Sequence, residues 1–192
     1  DLFKVNDIFL CRNTEMIKVI DNIIAKKEQE KIKNLILGKY FPWYYLNDVS
    51  LKDNPDERKP GLAHHFIFNG QLSDYFKHIN NLLIKTAKKL KLKEINILQS
   101  RGFLQFPLSN NIVKDKYIDS PHLDLVEKHL VFLYYVNNSD GDTIFYKDKN
   151  LKIKKRVKPK QGRMLIFSGD HWHSGSQPTK DVRCIINSNV RI

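Results

Sequence analysis

Two stretches in the first half of the chain carry apolar residues at helical spacing. In residues 14–37, Ile17, Ile20, Ile23, Ile24, Leu35 and Ile36 recur near a 3.6-residue period, with Thr14 placed to cap the start and Gly38 to stop the end. In residues 73–90, Phe76, Ile79, Leu82, Leu83, Ala87 and Leu90 form a second such stripe behind Ser73 as cap. Residues 40–59 between them run from aromatic to polar, with Asn54-Pro55 and Lys59-Pro60 as punctuation, and read as a long loop with short strands. From about residue 94 the pattern changes. Short β-rich runs follow at 95–106, 130–136, 143–146, 151–157, 164–167 and 182–190, separated by turn signals at 137–141, 159–162 and 168–170. This predicts an α+β, mostly β chain: a jelly roll, or double-stranded β-helix, with the N-terminal helices packed on its outer face. We expect a single domain over 1–192, with 1–93 as helical and looped support and 94–192 as the jelly-roll core.

Composition narrows the class without naming a function. The 192 residues are 41% hydrophobic and 11% aromatic, which excludes a disordered chain. No apolar run approaches the ~18 residues of a membrane span. No signal peptide is visible, although the chain starts at Asp1 without Met and a trimmed N-terminus stays open. Cys11 and Cys184 are far apart and lack zinc-type spacing, so a reduced intracellular setting is the default expectation. The net charge of +12 would attract a polyanion. The lysines are dispersed and lack the interleaved aromatics of a single-strand binder, so we read them as a solvated surface and keep nucleic acid as the lesser alternative.

The chemistry lies in the second half. His122 and Asp124 are two residues apart and, on a strand, would point to one face. His173 follows a strand and a Gly-Asp turn, where it could return opposite them. Two histidines and one carboxylate form a facial ligand set for non-haem Fe(II), leaving positions open for a cosubstrate and O2. Arg183 begins a strand ten residues later. An arginine pointing into a barrel is costly without an anion to meet, and its fork suits the far carboxylate of a 2-oxo diacid. Three accidental polar residues remain the bland alternative. His171 competes with His173 on the same strand face. His129 reads as a rim residue, and His64 and His65 as structural or substrate-facing at a loop–strand junction.

Taken in order, these residues resemble a family. His122-Leu123-Asp124, Leu133-Tyr134-Tyr135-Val136-Asn137, Gly141-Asp142-Thr143, residues 159–167, His173-Ser174-Gly175 and Arg183-Cys184-Ile185-Ile186-Asn187 are similar to the 2-oxoglutarate/Fe(II) dioxygenases. The branch is that of the prolyl-hydroxylase-like enzymes and their phage and marine-bacterial relatives. The resemblance covers residues ~95–192, and more loosely Phe41-Pro42-Trp43-Tyr44-Tyr45.

The resemblance implies iron ligands at His122, Asp124 and His173, with Arg183 and the hydroxyl of Tyr135 on the far carboxylate of 2-oxoglutarate. Gln105 matches a polar residue near the cosubstrate's iron-binding end. Arg183 lacks the Arg-x-Ser pairing of some branches, so a hydroxyl partner must come from elsewhere. It further implies Fe(II), 2-oxoglutarate and O2 as requirements and hydroxylation of a prolyl, peptidyl or small-molecule substrate, with succinate and CO2 as coproducts. A carboxylate at Asp124 favours hydroxylation over halogenation. A cytoplasmic setting is implied, and a phage-encoded origin stays open. Residues 43–65 and 109–120 would frame the substrate mouth. The alternatives are a cupin-like metal enzyme, for which Arg183 would have no task, and a non-catalytic jelly-roll module, perhaps one that binds nucleic acid.

Overall fold

The computed structural model describes residues 16–51, 53, 57–107, 118–147 and 152–191. Its strands are β1 (Ile17–Ile20), β2 (Tyr44–Leu46), β3 (Gly61–Phe68), β4 (Gln71–Leu72), β5 (Asn96–Gln105), β6 (His129–Tyr135), β7 (Thr143–Tyr146), β8 (Ile153–Val157), β9 (Met164–Ser168), β10 (His173–Gly175) and β11 (Arg183–Arg191). The helices are α1 (Lys26–Ile36) and α2 (Asn80–Lys89). Eight strands form one sheet in the order β1-β9-β6-β11-β5-β3-β2, with β4 beside β3; β10, β7 and β8 form a second. The pairings are antiparallel.

Strand β6 shows how the layers arise. Its residues are all buried, and they alternate between two apolar clusters. Val131, Leu133 and Tyr135 meet Phe145 and Val157 of the smaller sheet, together with Leu165, Phe167 and Ile185. Leu130, Phe132 and Tyr134 meet Ile32 and Ile36 of α1 and Leu82 and Leu83 of α2. A period of two thus serves one core between the sheets and a second apolar cluster that also takes in residues of both helices. Among the described residues, no helix is long and apolar enough to cross a membrane.

The first helix is shorter than its apolar stripe suggests. Ile17–Ile20 is a strand, paired with Phe167–Met164 of β9. Asn22 then takes a left-handed φ of 53°, and α1 begins only at Lys26. Asp21 ties this turn to Arg163 and Lys160 at 2.7 and 2.9 Å. Two β-branched turns of sequence can satisfy either period, and pairing with an open sheet edge decides it. Thr14 lies outside the described residues. Gly38 does follow the helix end, and there a Cβ would sit 2.5 Å from the carbonyl oxygen of Asn34.

The second helix starts late as well. Residues 76–78 form a 3-10 turn and α2 begins at Asn80. Ser73 does not cap it: its hydroxyl meets His64 Nε2 at 3.1 Å. Strand β3 was anticipated only as a loop–strand junction at His64 and His65, and its full extent from Gly61 to Phe68 was not, because Pro60 and the two histidines interrupt its pattern. Its long pairing with β5 supplies what local propensity lacks.

Candidate metal and cosubstrate site

His122, Asp124 and His173 converge, with one ligand atom of each within 4.8 Å of the others. They do so differently from the expected shared strand. Of His122 and Asp124, only His122 is in β pairing, as an isolated bridge to His173 of β10. The two residues exchange both backbone hydrogen bonds, at 2.9 and 3.1 Å. Asp124 lies beyond the bridge in a bend, where β11 fixes it. Asn187 Nδ2 and Asn189 Nδ2 donate to Asp124 Oδ2 at 3.0 and 2.8 Å. That leaves Oδ1 toward the histidines, 3.8 Å from Nε2 of each.

Both imidazoles are oriented the same way. His122 Nδ1 lies 2.9 Å from the Ser120 carbonyl and His173 Nδ1 3.0 Å from that of His171. A carbonyl only accepts, so each Nδ1 carries the proton and each Nε2 offers a lone pair. Burial pushes His173 down to about 4, with the like charge of His122 adding to this against the pull of Asp124, so the ring is neutral at physiological pH. Burial alone would raise Asp124. His173, the two asparagines and His122 outweigh it and hold the carboxyl below its ordinary range. Two Nε2 atoms and one carboxylate oxygen at this spacing suit a divalent ion ~2.0–2.2 Å from each.

The rejected histidines are equally clear. His171 is buried against Phe145 and outside the convergent group. His129 is not at the rim: it is 2% exposed, with its ring against Gly169. His64 is buried among Phe41, Phe66 and Tyr75, with Nδ1 on the Pro42 carbonyl at 2.9 Å.

A cavity of about 310 Å³ runs from the triad to Arg183. Arg183 is 4% exposed. It donates through Nε to the Gly141 carbonyl at 2.9 Å, through Nη1 to Gln105 Oε1 at 2.8 Å and through Nη2 to Thr143 Oγ1 at 3.1 Å. Three of its five N–H groups are used, and two remain for a ligand. Among the described residues it forms no ion pair, and burying a cation without an anion is expensive. Gly175 keeps this end open, since a Cβ there would come within 2.8 Å of Asp119 Oδ2 and 3.5 Å of Arg183 Nη1.

Two expectations shift at this end. Tyr135 donates its hydroxyl to Thr143 Oγ1 at 2.7 Å and is not among the cavity-lining residues. Thr143 therefore accepts from both Tyr135 and Arg183, and its own proton is free for a pocket anion. It offers a hydroxyl beside Arg183 that the sequence reading did not single out, although Gly141-Asp142-Thr143 stood among the matching runs. Gln105 pairs in register with Arg183, so it sits at the arginine end of the cavity and not at the metal end.

Asp119 was missed altogether. It is 5% exposed and accepts from Gln177 Nε2 at 2.6 Å and Gln105 Nε2 at 3.0 Å. Burial raises it from an ordinary 3.8 to about 7, opposed by those amides and Arg183. The folded state therefore holds this proton more tightly than the unfolded chain, and the associated stability is lost as pH rises from about 4 through about 7. We expect the melting temperature of Asp119→Asn to fall less than that of the wild type between pH 5 and 8. Parallel melting curves across that range would refute the assignment.

Residues 110–191 match the 2OG-Fe(II) oxygenase superfamily. No curated protein sequence matches the chain. Among solved structures, a 2OG-Fe(II) oxygenase family oxidoreductase from Burkholderia pseudomallei superposes with a TM-score of 0.71 at 12% identity, over 95% of this chain and 87% of that one. A viral collagen prolyl hydroxylase from Paramecium bursaria Chlorella virus-1, in complex with 2OG, gives 0.60 at 15% identity over 95% and 98%. A prolyl hydroxylase from Trichoplax adhaerens, bound to a hypoxia inducible factor peptide fragment, gives 0.62 at 15% identity over 96% and 87%. The fold is shared with these oxygenases, and the family match covers the residues from His122 to Asn187 on which the resemblance was drawn.

Proposed function

We propose that this chain, with the fold of the 2OG-Fe(II) oxygenases and their profile over residues 110–191, is an Fe(II)- and 2-oxoglutarate-dependent hydroxylase of a peptidyl or small-molecule substrate. In this reading His122, Asp124 and His173 hold the iron, and Arg183 with Thr143 holds the far carboxylate of the cosubstrate. Succinate and CO2 are the coproducts. The observation that carries it is a three-donor group and a buried arginine with two spare N–H groups at opposite ends of one cavity. Bound Fe(II) would supply O2 activation coupled to oxidative decarboxylation of the cosubstrate.

The chain's own residues supply placement. The carbonyls of Ser120 and His171 set the imidazole tautomers. Asn187 and Asn189 aim one carboxylate oxygen of Asp124 at the ion position. From Arg183 to Asn187 is four strand residues, ~13 Å at ~3.3 Å each, which with both side chains reaching inward suits a five-carbon diacid between arginine and metal. The buried walls exclude water from a charged cosubstrate and so strengthen its pairing with Arg183.

Anaerobic addition of Fe(II) and 2-oxoglutarate is expected to produce the weak visible metal-to-ligand absorption of the chelate. In air, succinate formation is expected to rise with the right substrate in a screen of peptides, amino acids and nucleic acids. No absorption and no turnover, with salt-dependent nucleic-acid binding instead, would overturn the reading in favour of a binding module.

A further inference from the structure

Strand β5 lays three inward residues along the cavity floor, each opposite a residue of β11: Gln105 with Arg183, Phe103 with Ile185, Arg101 with Asn187. The first pair is the arginine end of the cosubstrate cavity. The third stands beside the metal triad, and Arg101 has no role in the reading above.

Its surroundings are unusual for a guanidinium. The side chain is 24% exposed, and its Nε is buried without a hydrogen-bond partner. Its Cζ lies 5.1 Å over the ring of Phe103. Among the described residues, the carboxylate within ion-pair reach is Asp124, whose Oδ1 is 3.9 Å from Arg101 Nη2 and so beyond a hydrogen bond. That same oxygen faces both histidine Nε2 atoms. Asp48, which also lines the cavity, spends its Oδ1 on Ser50 and on the Lys59 backbone N–H.

Charge then decides what Arg101 is for. The two charges of Fe(II) are balanced by Asp124 and the near carboxylate of the cosubstrate. The far carboxylate balances Arg183. Arg101 is left over, half-desolvated, with donors free and pointing into the cleft on the metal side. A largely desolvated cation whose one carboxylate neighbour, Asp124, is turned to the metal position marks where a ligand anion docks.

We propose that Arg101 anchors an anionic group, a carboxylate or phosphate, of the primary substrate, so that the substrate of this site is itself an acid. The inference rests on the 2-oxoglutarate/Fe(II) reading and deepens it by naming a substrate class.

The test uses the full chain loaded anaerobically with Fe(II) and 2-oxoglutarate, with acetate and inorganic phosphate as probes of the vacant anchor. In the wild type, at least one probe is expected to perturb the visible absorption saturably. In Arg101→Gln the apparent Kd of that probe is expected to rise about tenfold or more, while 2-oxoglutarate affinity changes by about twofold or less. Arg101→Lys, which keeps the charge without the fork, is expected to restore part of the response and covers the case in which the glutamine variant folds poorly. A tenfold loss of 2-oxoglutarate affinity in Arg101→Gln would assign the arginine to the cosubstrate's near carboxylate and overturn the proposal. So would a wild type indifferent to both probes, or equal responses in wild type and variant. Absence of the absorption in the wild type is a different failure: it sinks the cosubstrate reading and this inference with it.

Discussion

Replacing Arg183 by alanine is expected to raise the 2-oxoglutarate requirement by roughly two orders of magnitude or more, since two charge-assisted hydrogen bonds at ~1.5–3 kcal/mol each are lost. Metal binding is expected to persist, because the triad is held by β10, the Ser120 and His171 carbonyls and the two asparagines, none of which contacts the guanidinium. Folding is expected to suffer mildly. The Gly141 carbonyl, Gln105 Oε1 and Thr143 Oγ1 each lose a donor, but Thr143 keeps Tyr135, and Gln105 borders a cavity that water can enter, which leaves the buried Gly141 carbonyl as the main cost. Arg183→Lys keeps a charge but not the fork, and an intermediate requirement is expected. The measurement is 2-oxoglutarate titration at saturating Fe(II), by absorption and by succinate release. A requirement unchanged in the alanine variant would sink the assignment of this end of the cavity.

Asp124→Ala is expected to abolish substrate-linked succinate formation. Two neutral imidazoles remain, and they hold a divalent ion more weakly than a set that includes a charge. Wild-type protein is expected to melt at higher temperature with added Fe(II), as any ligand of the folded state stabilises it, and that metal-dependent rise is expected to vanish in the variant. Without metal, the variant is expected to melt somewhat below the wild type, because the carboxylate's loss strands the Asn187 amide, which borders the cavity, and the Asn189 amide, which is fully buried. Retained turnover at saturating Fe(II) would mean that Asp124 does not hold the metal.

Legibility along the chain followed how much each feature depends on distant partners. The strands β5 to β9 and β11 were readable because each has its own short run, with bounds within one or two residues of it, whereas the three residues of β10 form no run of their own. Ile17–Ile20 was misread because its apolar spacing fits a helix as well as a strand, and β9 chooses between them. The order of His122, Asp124, His173 and Arg183 was plain in the sequence. What holds them was plain only in part. Asn187 and Asn189 share the two-residue period of Arg183 along β11, so that signal was present and went unused. Asp119 and Arg101 carried none. A polar residue's burial and lack of partners come from long-range closure, here from Gln177, Asn187 and the triad itself.

Strand β11 carries Arg183 at its start and Asn187 and Asn189 farther on, so one rigid element spaces the diacid grip from the metal carboxylate. A single-residue insertion between them would put Arg183 and the two asparagines on opposite faces, so that one end of the site is lost whichever end keeps its register. Such a strand can vary in side-chain identity but hardly in length. The facing strand β5 is under no such constraint at its Arg101 end, which meets the triad only through Asp124. Divergence within this architecture should therefore leave β11 fixed in register while β5 changes what enters beside the metal. Directed evolution toward new substrates is best aimed at Arg101 and its neighbours on that strand.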